Sequence, residues 1–309
     1  MVCGPPRAAC HCLKETIMAM DIMAEFEAED HPLDFVIPGF LSGTVGALVA
    51  PGATGKSYLA LEMAMGIACT VAGGDLLGIN PGNTGRTVYV AGEDPRPVIG
   101  KRLRAIRGHL NPQSRESIAE NLDLEPCMGS GLDLMRDDHL DRMIRYCDGA
   151  RLVILDTLSR VHTLDENSNG EMARLFMRLE QIAAQTGAAV LFLHHTSKAA
   201  LFDGKTDSQH ASRGASLLTD NARFAASLVK MSETQASEYR IDEARRDFFI
   251  RYAVTKNNYG APVEDRWYER HEGGVLRPAV MEKTGQNRGN ASDKGAHKAS
   301  RDGGDWDDW

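Results

Sequence analysis

The chain has 309 residues, enough for one large domain or two small ones around a buried core. Apolar residues make up 42% and charged residues 25%, an ordinary globular balance, and no apolar run reaches the roughly 18 residues of a membrane span. A formal net charge of -8 argues against a protein that coats DNA through overall charge, so any nucleic-acid contact requires a local patch.

The first segment, residues 1–32, reads as a flexible arm or leader, with Met18, Met20 and Met23 as further plausible starts. Cys3, Cys10 and Cys12 crowd it, whereas Cys69, Cys127 and Cys147 are scattered through helix-like or strand-like sequence. That is neither a disulfide framework nor a four-ligand zinc spacing, and it points to a reducing, cytoplasmic compartment. Cys10-His11-Cys12 leaves a metal site open beside the plainer reading of a leader. No secretory signal and no membrane partner is expected.

Four apolar runs follow, at Thr44–Ala50, Thr87–Ala91, Leu152–Leu155 and Ala189–Leu193. They lack polar alternation, the pattern of strands buried on both faces of a parallel sheet. Helical patterns fill the intervals at Ser57–Ala72, Pro97–His109, Asp137–Asp148 and Gly170–Thr186. This alternation predicts an α/β domain over residues 33–284, its mainly parallel sheet flanked by helices through right-handed crossovers. After Arg223 the texture changes, and Phe248–Lys256 and Arg266–Val280 read as antiparallel strands. Their turns fall at Asn257-Asn258-Tyr259-Gly260 and Glu272-Gly273-Gly274. Residues 285–309 have the composition of a disordered, acidic tail, in which Asp302–Trp309 is either solvated, docked to a partner or a competitor of DNA.

The first strand ends in Ala50-Pro51-Gly52-Ala53-Thr54-Gly55-Lys56-Ser57 and an apolar helix follows. This is the setting of a phosphate-binding loop for a nucleoside triphosphate. Gly52 and Gly55 let backbone N–H groups, together with those of Ala53 and Thr54, curl around phosphates at a helix N-terminus. Lys56 is expected on the β- and γ-phosphates and the Ser57 hydroxyl on Mg2+, with Tyr58 next along the helix. Ala50 stands where a glycine is usual. Arg151-Leu-Val-Ile-Leu-Asp156 is an apolar strand ending in an acid, and Asp156 there can orient the water shell of the metal. Glu93, after the strand Thr87–Ala91, is the candidate general base, whereas Asp94 before Pro95 reads as a helix cap. His194 and His195 end the fourth strand; such a pair is either core and capping or a sensor of the γ-phosphate.

Taken in order, Gly-Lys-Ser, Ala-Gly-Glu-Asp-Pro, Leu-Asp-Thr-Leu, Leu-His-His-x-Ser-Lys, Ala-Ser-Arg-Gly and Asp-Asn-x-Arg resemble the small plasmid-encoded replicative helicases of the RepA type, within the RecA/DnaB-like group of P-loop motors. The resemblance runs from about Leu33 to Val280 and takes in Asn258-Tyr259-Gly260-Ala261-Pro262 and Asp265-Arg266-Trp267. It implies a RecA-like P-loop core, a homohexameric ring, and ATP bound between subunits. It also implies Lys56, Ser57, Glu93 and Asp156 in the roles above, with His195 as the γ-phosphate sensor. Arg223 would be an arginine finger donated to the neighbouring site, although from its own surroundings in sequence it is equally a surface or salt-bridge arginine. Lys256 resembles the lysine of a Lys-x-Arg-x-Gly element in which Asn258 replaces the arginine, leaving Lys256 as a second trans cation. Arg102 either approaches phosphate or belongs to a solvated basic face with Lys101, Arg104 and Arg107.

In such rings the loops Thr157–Asn169 and Thr196–Ala215 would face a central channel. Lys198, Lys205 and Arg213 are then the candidate contacts to single-stranded DNA, bound through its backbone with marked salt dependence. A replication initiator and a primase are further expected partners by resemblance. The competing readings are a RecA/KaiC-type DNA-dependent ATPase switch without unwinding and, more distantly, a small-molecule kinase, for which no acceptor-binding lid is visible.

Overall fold

The computed structural model describes residues 20–195 and 216–282. The chain divides into two units, Met1–Leu33 and Asp34–Trp309. In the first, helix α1 (Ile22–Glu27) is capped by Asp21, whose carboxylate accepts from the backbone N–H groups of Met23 and Ala24, and none of its residues is buried.

The second unit begins with a two-stranded ribbon, β1 (Phe35–Ile37) and β2 (Phe40–Leu41), followed by a nine-stranded sheet. In chain order the sheet strands are β3 (Val45–Ala50), β4 (Thr87–Ala91), β5 (Leu122–Pro126), β6 (Leu152–Asp156), β7 (Ala189–His195), β8 (Phe224–Lys230), β9 (Phe249–Asn257), β10 (Arg266–Arg270) and β11 (Leu276–Ala279). In space they run β5-β4-β6-β7-β3-β8-β9-β10-β11. From β5 to β8 every neighbouring pair is parallel, and β9, β10 and β11 are added antiparallel.

Apolar residues on both faces of the central strands explain why helices cover both sides. On β6, Leu152 and Ile154 pack into one core with α2 (Lys56–Ala68), α3 (Arg96–Arg107) and α4 (Pro112–Asn121). Val153 and Leu155 point the other way, into a second core with α5 (Asp137–Cys147), α6 (Asn169–Thr186) and α7 (Ser216–Asn221). A third, small cluster packs Met231, Phe249 and Trp267 with α8 (Glu233–Tyr239). Helix α2 is buried on every side beyond its first turn, as its nearly uninterrupted apolar sequence requires.

The mainly parallel sheet, its helical flanks and the antiparallel extension are as the residue patterns predict. The structure adds β5, α4 and α8, which no apolar run announces, and β8, whose apolar run Phe224–Val229 is not among the predicted strands. It also ends α2 at Ala68 rather than Ala72, because the next residues are drawn onto α4: the Thr70 N–H donates to the Ser117 hydroxyl at 2.9 Å.

Candidate active site

Strand order builds the site. With β3, β7, β6 and β4 side by side, the register sets Ala50 beside His195 and Ala91 beside Asp156. The phosphate-type loop, His195, Asp156 and Glu93 therefore emerge along one edge of the sheet, at the carboxyl ends of parallel strands. Lys56, Ser57, Glu93 and His195 line a cleft of about 350 Å3 there.

The loop turns through left-handed backbone at Ala53 (φ 61) and Gly55 (φ 105). Gly52 is not the residue that requires freedom: a Cβ built on it meets nothing within 4 Å. At Gly55 the positive φ demands glycine, and a Cβ there would in addition displace the tip of the Arg270 side chain, 2.9 Å away. Thr54 turns its hydroxyl inward, donating to the Pro51 carbonyl at 2.9 Å.

Burial decides the electrostatics. Lys56 is 5% exposed, and desolvation pushes its ammonium down to about 8 against the pull of Asp156 and Glu93. Desolvation likewise raises the Asp156 carboxyl, opposed by hydrogen bonds from Tyr89 and Ser57. The Tyr89 hydroxyl donates to Asp156 Oδ2 at 2.5 Å. Lys56 Nζ and Asp156 Oδ1 have no hydrogen-bond partner although both are buried. Buried polar atoms are almost always satisfied, so an unpaired cation and an unpaired carboxylate oxygen beside the Ser57 hydroxyl fit a phosphate chain carrying a divalent ion. Ser57 and Asp156 would hold that ion, which neutralises phosphate charge. Among the described residues no cluster of three His, Cys, Asp or Glu could hold a metal by itself.

Glu93 is held down to about 2, chiefly by its hydrogen bond with His195 and, against desolvation, by that with Thr157. His195 Nε2 lies 3.5 Å from Glu93 Oε1, and the Thr157 hydroxyl donates to the same oxygen at 3.1 Å. His194 faces the opposite way on the strand and is buried. Desolvation and the nearby Lys56 lower it to about 4, so it is neutral at pH 7. Only the second histidine of the pair opens into the cleft.

One expectation on the α3 side needs correction. Asp94 does not cap α3; the residue in the cap position is Pro95, and no side chain caps the helix. Asp94 instead pairs with Arg102 at 2.6 Å, and the Arg102 guanidinium lies 5.2 Å from the centre of the Tyr58 ring. Arg102 thus leaves the solvated face formed by Lys101, Arg104 and Arg107 and lines the cleft with Tyr58.

Residue patterns missed Tyr89 and Arg270. Tyr89 reads as one more core residue of β4, its single polar atom in an aliphatic run being the available signal. Arg270 ends β10, which runs parallel to β3 because two antiparallel steps separate it from β8. Its guanidinium Nη2 donates to the Thr54 carbonyl at 2.8 Å. The Tyr58 hydroxyl similarly donates to the Gly273 carbonyl, in a turn where Gly274 has φ 93. The β10–β11 turn therefore closes one side of the cleft.

Arg223 and Lys256 lie elsewhere. The Arg223 N–H donates to Val45 at the opposite end of β3, and Lys256 pairs with Ala225 beside it. Five residues of β3 separate that end from Ala50, roughly 16 Å, so neither cation joins the cleft of its own chain. Arg223 is exposed, and Lys256 Nζ donates to the Asp220 carbonyl at 2.5 Å. The segment Thr157–Asn169 folds against the body of the domain: Leu158–Arg160 forms a single 3-10 turn, and the Leu134 N–H donates to the Val161 carbonyl at 2.8 Å. Lys198, Lys205 and Arg213, the N-terminal cysteines and the acidic tail lie outside the described residues.

A family model described as an AAA domain matches residues 14–200, more than half of the chain. Among solved structures, the chain is similar to one described as an ATPase domain, with a TM-score of 0.55 and 14% identity over 84% of this chain and 96% of that one. It is also similar to a DnaB-like replicative helicase described with its interactions with primase, with a TM-score of 0.55 and 15% identity over 83% of this chain. The match spans 64% of that helicase. At these identities the likeness is one of fold. By its family match the chain belongs to the AAA domain family, and it carries its phosphate-binding loop on a RecA-like P-loop ATPase fold.

Proposed function

We propose that the protein is an ATP-driven DNA helicase of the plasmid replicative type, a homohexameric ring that hydrolyses ATP at subunit interfaces while moving along single-stranded DNA. The observation that supports it most is the division of the charged groups. Lys56, Ser57, Glu93, Asp156 and His195 gather at one edge of the sheet, whereas Arg223 and Lys256 lie at the other, where a neighbouring copy's phosphates could meet them. Such a site gains its last cations only on assembly, which lets the state of one subunit control hydrolysis in the next.

Within one chain the division of labour follows from the geometry. The N–H groups at the start of α2 and the Lys56 ammonium bind the β- and γ-phosphates, restoring to Lys56 the counter-charge that burial withholds. Glu93 and His195 face the position of an attacking water. A carboxylate held near 2 is a weak base, so Glu93 first orients the water by accepting its hydrogen bond; the approaching phosphate charge then raises its basicity. His195, hydrogen-bonded to Glu93 and adjoining residues 196–215, can pass loss of the γ-phosphate to the segment carrying Lys198, Lys205 and Arg213.

Strand displacement on a forked duplex with purified protein and ATP tests the reading. Unwinding that is abolished in both Lys56→Ala and Glu93→Gln is expected. Hydrolysis stimulated by DNA without displacement would instead make the protein an ATPase switch. Mixing tests the trans assignment: Lys56→Ala and Arg223→Ala subunits, each inactive alone, should recover hydrolysis when co-assembled, because an intact loop then meets an intact finger from its neighbour, and no recovery in mixed assemblies would remove Arg223 from the neighbour's site.

A further inference from the structure

A second concavity lies away from the nucleotide cleft, between α3 and α4 and over the edge strand β5. It has a volume of about 320 Å3. Leu103, Leu110, Leu122 and Leu124 form its floor; each is only partly buried, although all pack against the main core. Single exposed leucines are unremarkable, but four facing one hollow form a surface that water covers at a cost.

Its rim is of the opposite character. Arg104, Arg107 and Arg115 stand around it, all exposed, and none pairs with an acid among the described residues. Several arginines elsewhere do find an acid, among them Arg86 with Asp123, Arg102 with Asp94, Arg151 with Asp34 and Arg178 with Asp137, whereas the groove gathers three that do not. In a chain of net charge -8, three uncompensated arginines around an apolar floor select a ligand that is acidic and carries large apolar side chains.

The C-terminal segment, residues 302–309, has that chemistry. Asp302-Gly303-Gly304-Asp305-Trp306-Asp307-Asp308-Trp309 places two tryptophans among four aspartates. We propose that this segment docks in the α3–α4 groove, its indole rings on the leucine floor and its carboxylates on Arg104, Arg107 and Arg115. Reach permits docking within one molecule. Residues 283–301 can span roughly 60 Å when extended, and the width of the nine-stranded sheet from β11 to β5 is about 40 Å. Tryptophan supplies much apolar area for little rotamer entropy, and aspartates beside it allow arginine pairing at the rim.

The experiment uses the protein lacking Asp302–Trp309 and a fluorescently labelled peptide of residues 301–309, followed by anisotropy. The peptide should bind the shortened protein, and bind it more weakly as salt is raised. Binding should fall about tenfold or more when Arg104→Glu and Arg107→Glu are combined, and similarly for peptide carrying Trp306→Ala and Trp309→Ala. Intact protein should take up less peptide, because its own segment occupies the groove. Both arginines are exposed, so the double variant should keep the melting temperature of its parent; Leu110→Asp, which changes only the floor, provides a second route. Absence of binding, binding indifferent to both groove variants, or equal uptake by intact and shortened protein would overturn the proposal. If Leu110→Asp instead broke self-association while the peptide never bound, the groove would be a contact between copies and the proposal would again fail.

Discussion

Replacing Lys56 by methionine should make the nucleotide-free protein more stable, although the change removes the cation proposed to bind the phosphates of ATP. Lys56 is 5% exposed, and burial lowers its ammonium from 10.5 to about 8. A drop of that size corresponds to roughly 3 kcal/mol of penalty on the charged form. Because the folded value lies below the unfolded one, the penalty is complete at pH 7 and fades as pH rises from about 8 towards 10.5. Methionine has a similar length and no charge to desolvate. That figure already nets the attraction of Asp156 and Glu93 against desolvation; imperfect packing of the thioether returns part of the gain, so a net stabilisation of about 2 kcal/mol is expected, or roughly 4–8 °C in Tm. Thermal melts of both proteins at pH 7 and pH 10, with and without a non-hydrolysable ATP analogue and Mg2+, provide the assay. The variant should melt higher without nucleotide at pH 7, lose most of that advantage at pH 10, and gain nothing from the analogue, which should raise the wild type. A Lys56→Met protein that melts lower at pH 7, or whose advantage ignores pH, would refute the account of a buried, uncompensated ammonium.

Other substitutions probe the same edge of the sheet. Gly55→Ala forces a Cβ to 2.9 Å from the Arg270 guanidinium at φ 105; nucleotide binding should fall by at least tenfold, and unchanged affinity in titration calorimetry would count against the loop geometry. Arg270→Ala removes the donor to the Thr54 carbonyl and should weaken nucleotide binding roughly fivefold while the fold persists, measured by the same titration. Glu93→Gln should retain nucleotide binding and slow hydrolysis by about 100-fold or more, and a near-normal turnover would exclude Glu93 from the reaction. The same variant has a pH signature in denaturant melts. Glu93 titrates near 2 instead of 4.5, so the stability it contributes is complete above about 4.5 and disappears between there and about 2. The wild-type advantage should hold level from pH 7 to pH 5, and its loss above pH 5 would contradict the His195 and Thr157 hydrogen bonds as its origin.

Much of this protein was legible in the residues because its central elements are locally self-consistent. Thr87–Ala91, Leu152–Leu155 and Ala189–Leu193 are apolar on both faces, and only the middle of a helix-covered parallel sheet satisfies such strands. The loop from Ala50 to Ser57 is contiguous, so its residues are neighbours in any fold that has a strand before it and a helix after it. The strand β5 was not legible, because Leu122-Asp123-Leu124-Glu125-Pro126 is a half-exposed edge with polar alternation. The helix α4 likewise buries only Ser114, Ser117 and Ile118, too few apolar residues to announce its face.

Tertiary structure alone decided what depends on distant segments meeting. Local reading made Asp94 a helix cap, but the fold brings Arg102 within 2.6 Å, and a charged partner outcompetes the α3 backbone for that carboxylate. Arg270 lies 216 residues from Thr54 in sequence, and only the count of antiparallel steps from β8 to β10 puts it at the edge bearing the phosphate loop. The parallel pairing of β8 with β3 leaves Arg223, just before β8, at the far edge, and the single antiparallel step to β9 leaves Lys256 there too. Residue types and spacing thus determined which chemical groups the protein owns and where its central strands run. The order and direction of those strands determined which groups share a site, because proximity across a sheet follows from topology and not from separation along the chain.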